Sequence, residues 1–128
     1  MTSKVWFPER WPPLRPDVLQ LYSLATPNGQ KVSVCLEEMG LDYEAHLINI
    51  LQGDQQDPDY VKLSPNGKIP SIIDPKGPGG SPIILCESIV ILTYLADKTG
   101  MLLPRDYAAR NVRPVRTFLK IRPGQVQR

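Results

Sequence analysis

Histidine and cysteine are scarce: one histidine, His46, and two cysteines, Cys35 and Cys86, in 128 residues. No Ser-His-Asp set, metal-ligand cluster or phosphate-cradling loop is visible; Asn66-Gly67-Lys68 reads as a turn. His46 falls within a strand-like stretch and reads as a surface or core position, not a catalytic one. The cysteines lack C-x-x-C spacing and sit inside apolar runs, so both read as reduced, buried small hydrophobes. Long apolar runs are also missing. The longest, Ile89-Val90-Ile91-Leu92, is far too short to span a bilayer, so no membrane partner is expected. The opening Met1-Thr2-Ser3-Lys4-Val5-Trp6 has no secretory apolar core, which together with the reduced cysteines suits a cytoplasmic setting.

Proline, by contrast, is plentiful at 14 residues, and charge is unevenly spread. Residues 1–104 carry 8 Lys/Arg against 12 Asp/Glu, whereas residues 105–128 carry 7 against 1. That shift marks Pro104 as a boundary. Residues 1–17 hold Trp6, Trp11, Pro8, Pro12, Pro13 and Pro16 without periodicity. They read as an extended arm lying on a body, or as a disordered leader. Residues 18–104 form the domain, and residues 105–128 a basic tail with no interleaved aromatic beyond Phe118, so no nucleic-acid partner is expected.

Within the domain, residues 18–22 read as a strand that runs into a helix. Thr26 is a good N-cap, Pro27 suits the first helical position, and Val32, Leu36 and Met39 share a face ahead of a Gly40 stop. Residues 43–50 form a second strand, completing a βαβ unit with parallel strands. Asp57-Pro58-Asp59 can start a short helix. Two short apolar strands, Ser71-Ile72-Ile73 and Ile83-Ile84-Leu85, then form a hairpin that feeds a helix over residues 88–98. The order β-α-β-α-β-β-α predicts a two-layer, thioredoxin-like α/β domain with a mixed four-stranded sheet. The last helix is apolar nearly all round, so one side, with Ile89, Ile91 and Leu92, is expected to stay uncovered and make the chain associate.

Ile69-Pro70 stands at the head of the third strand. A proline cannot donate to a ladder, and X-Pro is where cis bonds occur, so the backbone of Ile69 is free to pair with something extended. Helices begin on either side, near Thr26 and near Ser88, and both N-termini suit anions. A small peptide-like ligand with a carboxylate and a thiolate satisfies all three, although Thr26 and Ser88 are also ordinary caps and Ile69-Pro70 an ordinary strand opener. Glu87, between an apolar strand and an apolar helix, needs a partner if it is buried.

The motifs Leu21-Tyr22-Ser23, Thr26-Pro27-Asn28-Gly29-Gln30-Lys31-Val32, Glu37-Glu38, Pro65-Asn66-Gly67-Lys68-Ile69-Pro70, Glu87-Ser88 and Tyr94-Leu95-Ala96-Asp97-Lys98 occur in order across residues 18–104. In this set the chain resembles cytosolic glutathione transferases, specifically the bacterial nu class of disulfide-bond reductases and its fungal relatives. The resemblance implies glutathione as co-substrate, no metal, and a small electrophile or disulfide as second substrate. It places Thr26 and Asn28 beside the glutathione sulfur and Gln55 at the glycyl end. Ile69 would pair with the cysteinyl backbone ahead of a cis Pro70, while Glu87 and Ser88 hold the γ-glutamyl amine and carboxylate. A non-catalytic thioredoxin-like binding module is the alternative.

Two features depart from that family. Cys86 stands where a phenylalanine is usual; it could form a mixed disulfide with glutathione, against which burial argues. After about residue 110 the pattern is no longer family-like, and the all-helical second domain, which in full-length relatives supplies half of a homodimer contact, is not expected in this chain. The expected cause of that loss is an altered reading frame or a truncated gene. Helical-domain sequence is then expected in another frame of the downstream DNA, and its absence there rejects the account.

Overall fold

The computed structural model describes residues 5–100; the expectations for residues 1–4 and for the basic tail lie outside the described residues. Strand β1 (Leu19–Ser23) leads to helix α1 (Pro27–Glu38) and strand β2 (Tyr43–Leu47). Two 3-10 turns, Ile50–Gln52 and Asp54–Gln56, precede helix α2 (Pro58–Leu63). Strands β3 (Ser71–Asp74) and β4 (Ile83–Cys86) follow, and helix α3 (Ser88–Thr99) ends the described chain. The sheet order is β2-β1-β3-β4, with β1 parallel to β2 and the other two pairings antiparallel. This is the expected thioredoxin-like fold.

The elements form where local chemistry asks for them. Asp57 caps α2 by accepting the Asp59 N–H at 2.9 Å, and Pro58 occupies the first turn, where its missing N–H costs nothing. Gly40, at φ +68°, turns the chain out of α1. β2 is shorter than the alternation suggested. Its last ladder pair joins Leu47 to Ser23, and beyond Ile48 the Asn49 side chain accepts the Leu51 N–H at 3.1 Å and winds the chain into a 3-10 turn.

Both faces of the sheet are covered. On one, Leu19, Leu21 and Ile72 pack against Val32, Cys35 and Leu36 of α1 and against Ile91, Leu92, Leu95 and Ala96 of α3. Here the structure corrects an expectation: Ile91 and Leu92 are 0% and 4% exposed, because α1 covers the side of α3 that the sheet cannot. The uncovered apolar side is carried by Val90, with half-buried Ile83, Leu85 and Ile89 lining a shallow groove of about 410 Å³. On the other face Tyr22, Ile48, Tyr60, Leu63 and Ile73 form a second cluster, roofed by Val5, Trp6, Phe7 and Trp11 of the arm. The arm is thus anchored by its aromatic residues, and the domain has a third, partial layer.

Polar bonds fix the arm's course. Glu9 donates its N–H to Asp59 at 2.7 Å, and Arg10 bridges Asp54 at 2.6 Å and Asp57 at 3.2 Å. The amides of Leu14 and Arg15 both donate to the Glu44 carboxylate, and the Arg15 guanidinium pairs with Asp42.

Beside the β3–β4 hairpin, Asp74 is almost fully buried. It accepts from the Tyr94 hydroxyl at 2.5 Å, the Lys98 ammonium at 2.9 Å and the Lys76 N–H at 2.9 Å. Burial alone would raise its pKa; those donors outweigh burial and lower it from the ordinary value. A carboxylate with a depressed native pKa contributes stability that is complete above its unfolded value, 3.8, and is lost as pH falls through the native one. Asp74→Asn is therefore expected to cost about 1–2 kcal/mol at pH 7 and to flatten the acid limb of stability below about pH 4. Urea unfolding from pH 7 to pH 3 measures both, and parallel acid limbs for the two proteins would count against the assignment.

Candidate functional site

Strand register brings the candidate residues to one edge of the sheet. Ser71, the first residue of β3, is the ladder partner of Tyr22 on one side and of Cys86 on the other. β3 therefore begins where β1 and β4 end. Neighbouring strands lie about 4.8 Å apart, so the segments leading into α1 and α3 flank Pro70 and Ile69. β2 runs parallel to β1 and ends at the same edge, where the Ile48 N–H donates to the Ser23 carbonyl at 2.9 Å and the chain continues towards Gln55. Thr26, Asn28, Gln55, Ile69, Pro70, Glu87 and Ser88 all belong to segments at this edge.

The start of α1 is tightly set. Thr26 is the N-cap, and its Oγ1 accepts the Gly29 N–H at 3.3 Å. Asn28 is exposed, and no acidic residue occupies the first turn, so the positive end of the helix is uncompensated. Gly29 is required by contact: a Cβ there would lie 2.0 Å from the Leu24 carbonyl oxygen and 2.4 Å from Ser23 Oγ.

The start of α3 differs in detail from its reading in the sequence. Ser88 is the first helical residue, and the cap position belongs to Glu87, whose side chain makes no capping bond. Glu87 lies at φ +72°, ψ +127°, a strained region for any residue but glycine, and such strain gathers at functional sites. The kink leaves its carboxylate exposed, so the partner that burial would demand is not needed. α3 also has no acidic residue in its first turn, and the Glu87 side chain at its cap makes no bond to the N-terminal amides.

Between the two helix starts the Ile69–Pro70 bond is cis, as expected. The neighbouring backbone is engaged: the Lys68 carbonyl accepts from the Tyr60 hydroxyl at 2.8 Å, and the Lys68 N–H donates to Ser64 Oγ at 3.2 Å. Burial pushes the Tyr60 hydroxyl up to about 12, against a lowering by its bond to Ser71, so it remains a donor near neutral pH. Among the described residues no backbone bond occupies the N–H or C=O of Ile69. Gln55 packs against Gly67, whose Cβ would lie 3.3 Å from the Gln55 carbonyl oxygen. Its side-chain Oε1 is buried and has no protein partner.

Other titratable groups take structural places. Tyr22 is fully buried with its ring stacked on His46 at 4.6 Å, and burial followed by the Glu44 charge raises its hydroxyl pKa far above the usual phenol value. His46 bonds Gln20 at 2.7 Å through Nε2, and burial lowers its pKa against the opposing pull of Glu44. It is a partner within the sheet, as the sequence suggested. Cys35 is buried, but Cys86 is only half-buried, which corrects its reading as a core residue. The burial argument against a mixed disulfide therefore applies to Cys35 and not to Cys86. Among the described residues no group of His, Cys, Asp and Glu could hold a metal ion, and no helix is long and apolar enough to cross a membrane.

Comparison with known proteins agrees with the fold. The family model for the glutathione S-transferase N-terminal domain matches residues 25–98, more than half of the chain. The chain belongs to the glutathione S-transferase family, in the part that this N-terminal domain represents. It is 46% identical over 108 residues to the disulfide-bond oxidoreductase YghU of Escherichia coli, covering 80% of this chain and 37% of that protein. To YfcG, a second disulfide-bond oxidoreductase of that organism, it is 43% identical over 94 residues, with 73% and 44% covered. The chain thus spans less than half the length of these relatives. Among solved structures, a glutathione transferase of Pseudomonas putida with one glutathione disulfide bound per subunit superposes with a TM-score of 0.80 at 51% identity. That match covers 88% of this chain and 49% of the other. A Pseudomonas fluorescens family member with two glutathione molecules bound gives 0.78 at 54% identity, covering 80% and 45%.

The contact at Gly29 sets a test of how the α1 start is built. Gly29→Ala is expected to cost more than about 2 kcal/mol through overpacking against backbone. Chemical denaturation measures it, and a loss no larger than that of an exposed helical substitution would show that the start can relax.

Proposed function

We propose that this edge of the sheet binds glutathione and lowers the pKa of its thiol for transfer to an electrophile or for reduction of a disulfide. The observation that carries the reading is the unpaired backbone of Ile69 just ahead of Pro70, flanked by two helices whose first turns lack acidic residues. An extended cysteinyl unit can add to Ile69 as a strand does, through both of its backbone groups. Its γ-glutamyl end then reaches Ser88 and the first-turn amides of α3, which take the carboxylate, while the exposed Glu87 carboxylate takes the amine. Gln55 offers its amide to the glycyl end.

The thiol then falls to the α1 start. The Thr26 hydroxyl and the Asn28 amide, with the partial positive charge of the helix, stabilise the thiolate over the thiol. Tyr22 is unsuited to this role, being buried and stacked on His46. In transfer, the thiolate displaces a leaving group from an electrophilic carbon, or adds to an activated double bond whose other carbon then takes a proton, and a thioether forms. In reduction, it attacks one sulfur of a disulfide, forming a mixed disulfide and expelling the other sulfur as a thiolate; a second glutathione thiolate then attacks the glutathione sulfur of the mixed disulfide, forming glutathione disulfide and expelling the remaining thiolate. No protein cysteine takes part. Relatives crystallised with two glutathione molecules or with glutathione disulfide support the reductive branch, and a reducing cytoplasm would supply the thiol.

Titration calorimetry with glutathione tests the reading directly. Saturable binding is expected, weakened about tenfold or more by Ser88→Ala, the loss of one bond to a charged group. Absence of heat at millimolar glutathione overturns it. A disulfide-exchange assay on the same protein then separates a reductase from a glutathione-binding module without turnover.

A further inference from the structure

The N-terminal arm does more than roof the sheet; we infer that Arg10 and Trp11 position the ligand-facing residues Gln55 and Ile69. The inference rests on the proposed glutathione site. Two chains of contact run from adjacent arm residues to that site. In the first, the Arg10 guanidinium holds Asp54 Oδ1 at 2.6 Å and Asp57 Oδ2 at 3.2 Å, the carboxylates that bracket the 3-10 turn carrying Gln55. Each carboxylate has its second oxygen tied into local structure. Asp54 Oδ2 accepts the Asn49 N–H at 2.7 Å, and Asp57 Oδ1 caps α2 at 2.9 Å. The turn is therefore clamped from outside by one guanidinium and from inside by two backbone amides.

In the second chain, Trp11 meets Tyr60 edge-on at 6.2 Å between ring centroids. The Tyr60 hydroxyl in turn holds the Lys68 carbonyl, one residue before Ile69. Arg10 also lies over the Trp11 ring at 5.0 Å, which couples the two chains at their origin. What makes the arrangement point to a ligand is Gln55. Its Oε1 is buried and no protein group among the described residues answers it, which leaves an acceptor for a donor such as the glycyl N–H of the ligand. Arg10 does not itself touch the proposed ligand; it is a positioning residue, acting through Asp54 and Asp57. By pairing with both carboxylates it also removes the repulsion they would exert on the glycyl carboxylate of a tripeptide.

The test compares glutathione with γ-glutamylcysteine, which lacks the glycyl unit that Gln55 faces. Wild-type protein is expected to prefer glutathione, and Gln55→Ala to remove that preference. Arg10→Ala is expected to weaken glutathione binding about fivefold, with γ-glutamylcysteine changed by less than about twofold. The double variant should lose no more than either single one, since both act on one contact. Arg10→Lys, which keeps the charge but cannot bridge two carboxylates as a fork does, should recover only part of the loss. A merely structural role would weaken both ligands equally, or shift thermal stability alone, and either result overturns the inference. So does a preference for glutathione that Gln55→Ala or Arg10→Ala leaves intact. If wild-type protein binds neither ligand, the proposed function itself falls, and this inference with it.

Discussion

The candidate site depends on β3 being paired along both edges and then stopping. From Ser71 to Asp74 every residue has a partner on β4, and Ser71, Ile72 and Ile73 have partners on β1 as well. Pro70 has no N–H to continue either ladder. One residue earlier, at the place where β1 and β4 give way to their helices, the backbone of Ile69 is left without a partner. A third strand one residue longer, or a different residue at position 70, would consume the groups that make this edge adhesive. The same register sets the helices: α1 and α3 start from strands that end level with the beginning of β3, so their positive ends converge on the gap.

That edge is useful only if the sheet behind it is rigid, and two dissimilar cores provide this. The α1/α3 side is an ordinary aliphatic core, with Leu21, Leu36, Ile72, Ile91 and Leu95 all at or near complete burial. The arm side is aromatic and polar, built on Tyr22, Tyr60 and Trp11, and it depends on a segment with no regular structure. Such a segment has no ladder to hold it, so it is secured by bonds to side chains: Asp59, Asp54 and Asp57 at one end, Glu44 and Asp42 at the other. The acid excess of residues 1–104 is therefore not simply a solvated surface. A good part of it is the anchor row for the arm.

The fold was legible in the sequence because its punctuation is strong. Thr26-Pro27, Asp57-Pro58 and Gly40 mark helix ends by backbone chemistry that no tertiary context overrides here, and the apolar spacing of Val32 and Leu36 marks the buried face of α1. Ile69-Pro70 was legible for the same reason. What was not legible depends on contacts between distant segments. Nothing in the local pattern around Ile91 and Leu92 tells that α1 lies over them. Arg10 in a proline-rich arm carries no sign that it bridges Asp54 and Asp57. Glu87 looked like a residue in need of a buried partner, because a positive φ at a glutamate is invisible to propensity; only the strand-to-helix corner shows that the side chain is turned outward.

Charge placement around the edge then follows a consistent division. Both helix starts are free of acidic residues in their first turns, and the nearest acids on the α2 side, Asp54 and Asp57, are paired with a guanidinium. Glu87, outside the helix proper, is the exception: exposed, strained, and without a side-chain bond among the described residues. The proposed ligand fits this division: its thiolate and one carboxylate meet the two helix starts, and its single ammonium meets the Glu87 carboxylate. A simple dianion would match the helix ends but leave Glu87 as repulsion. The strained glutamate thus argues for a zwitterionic end on the ligand, which a γ-glutamyl group supplies and an ordinary dicarboxylate does not.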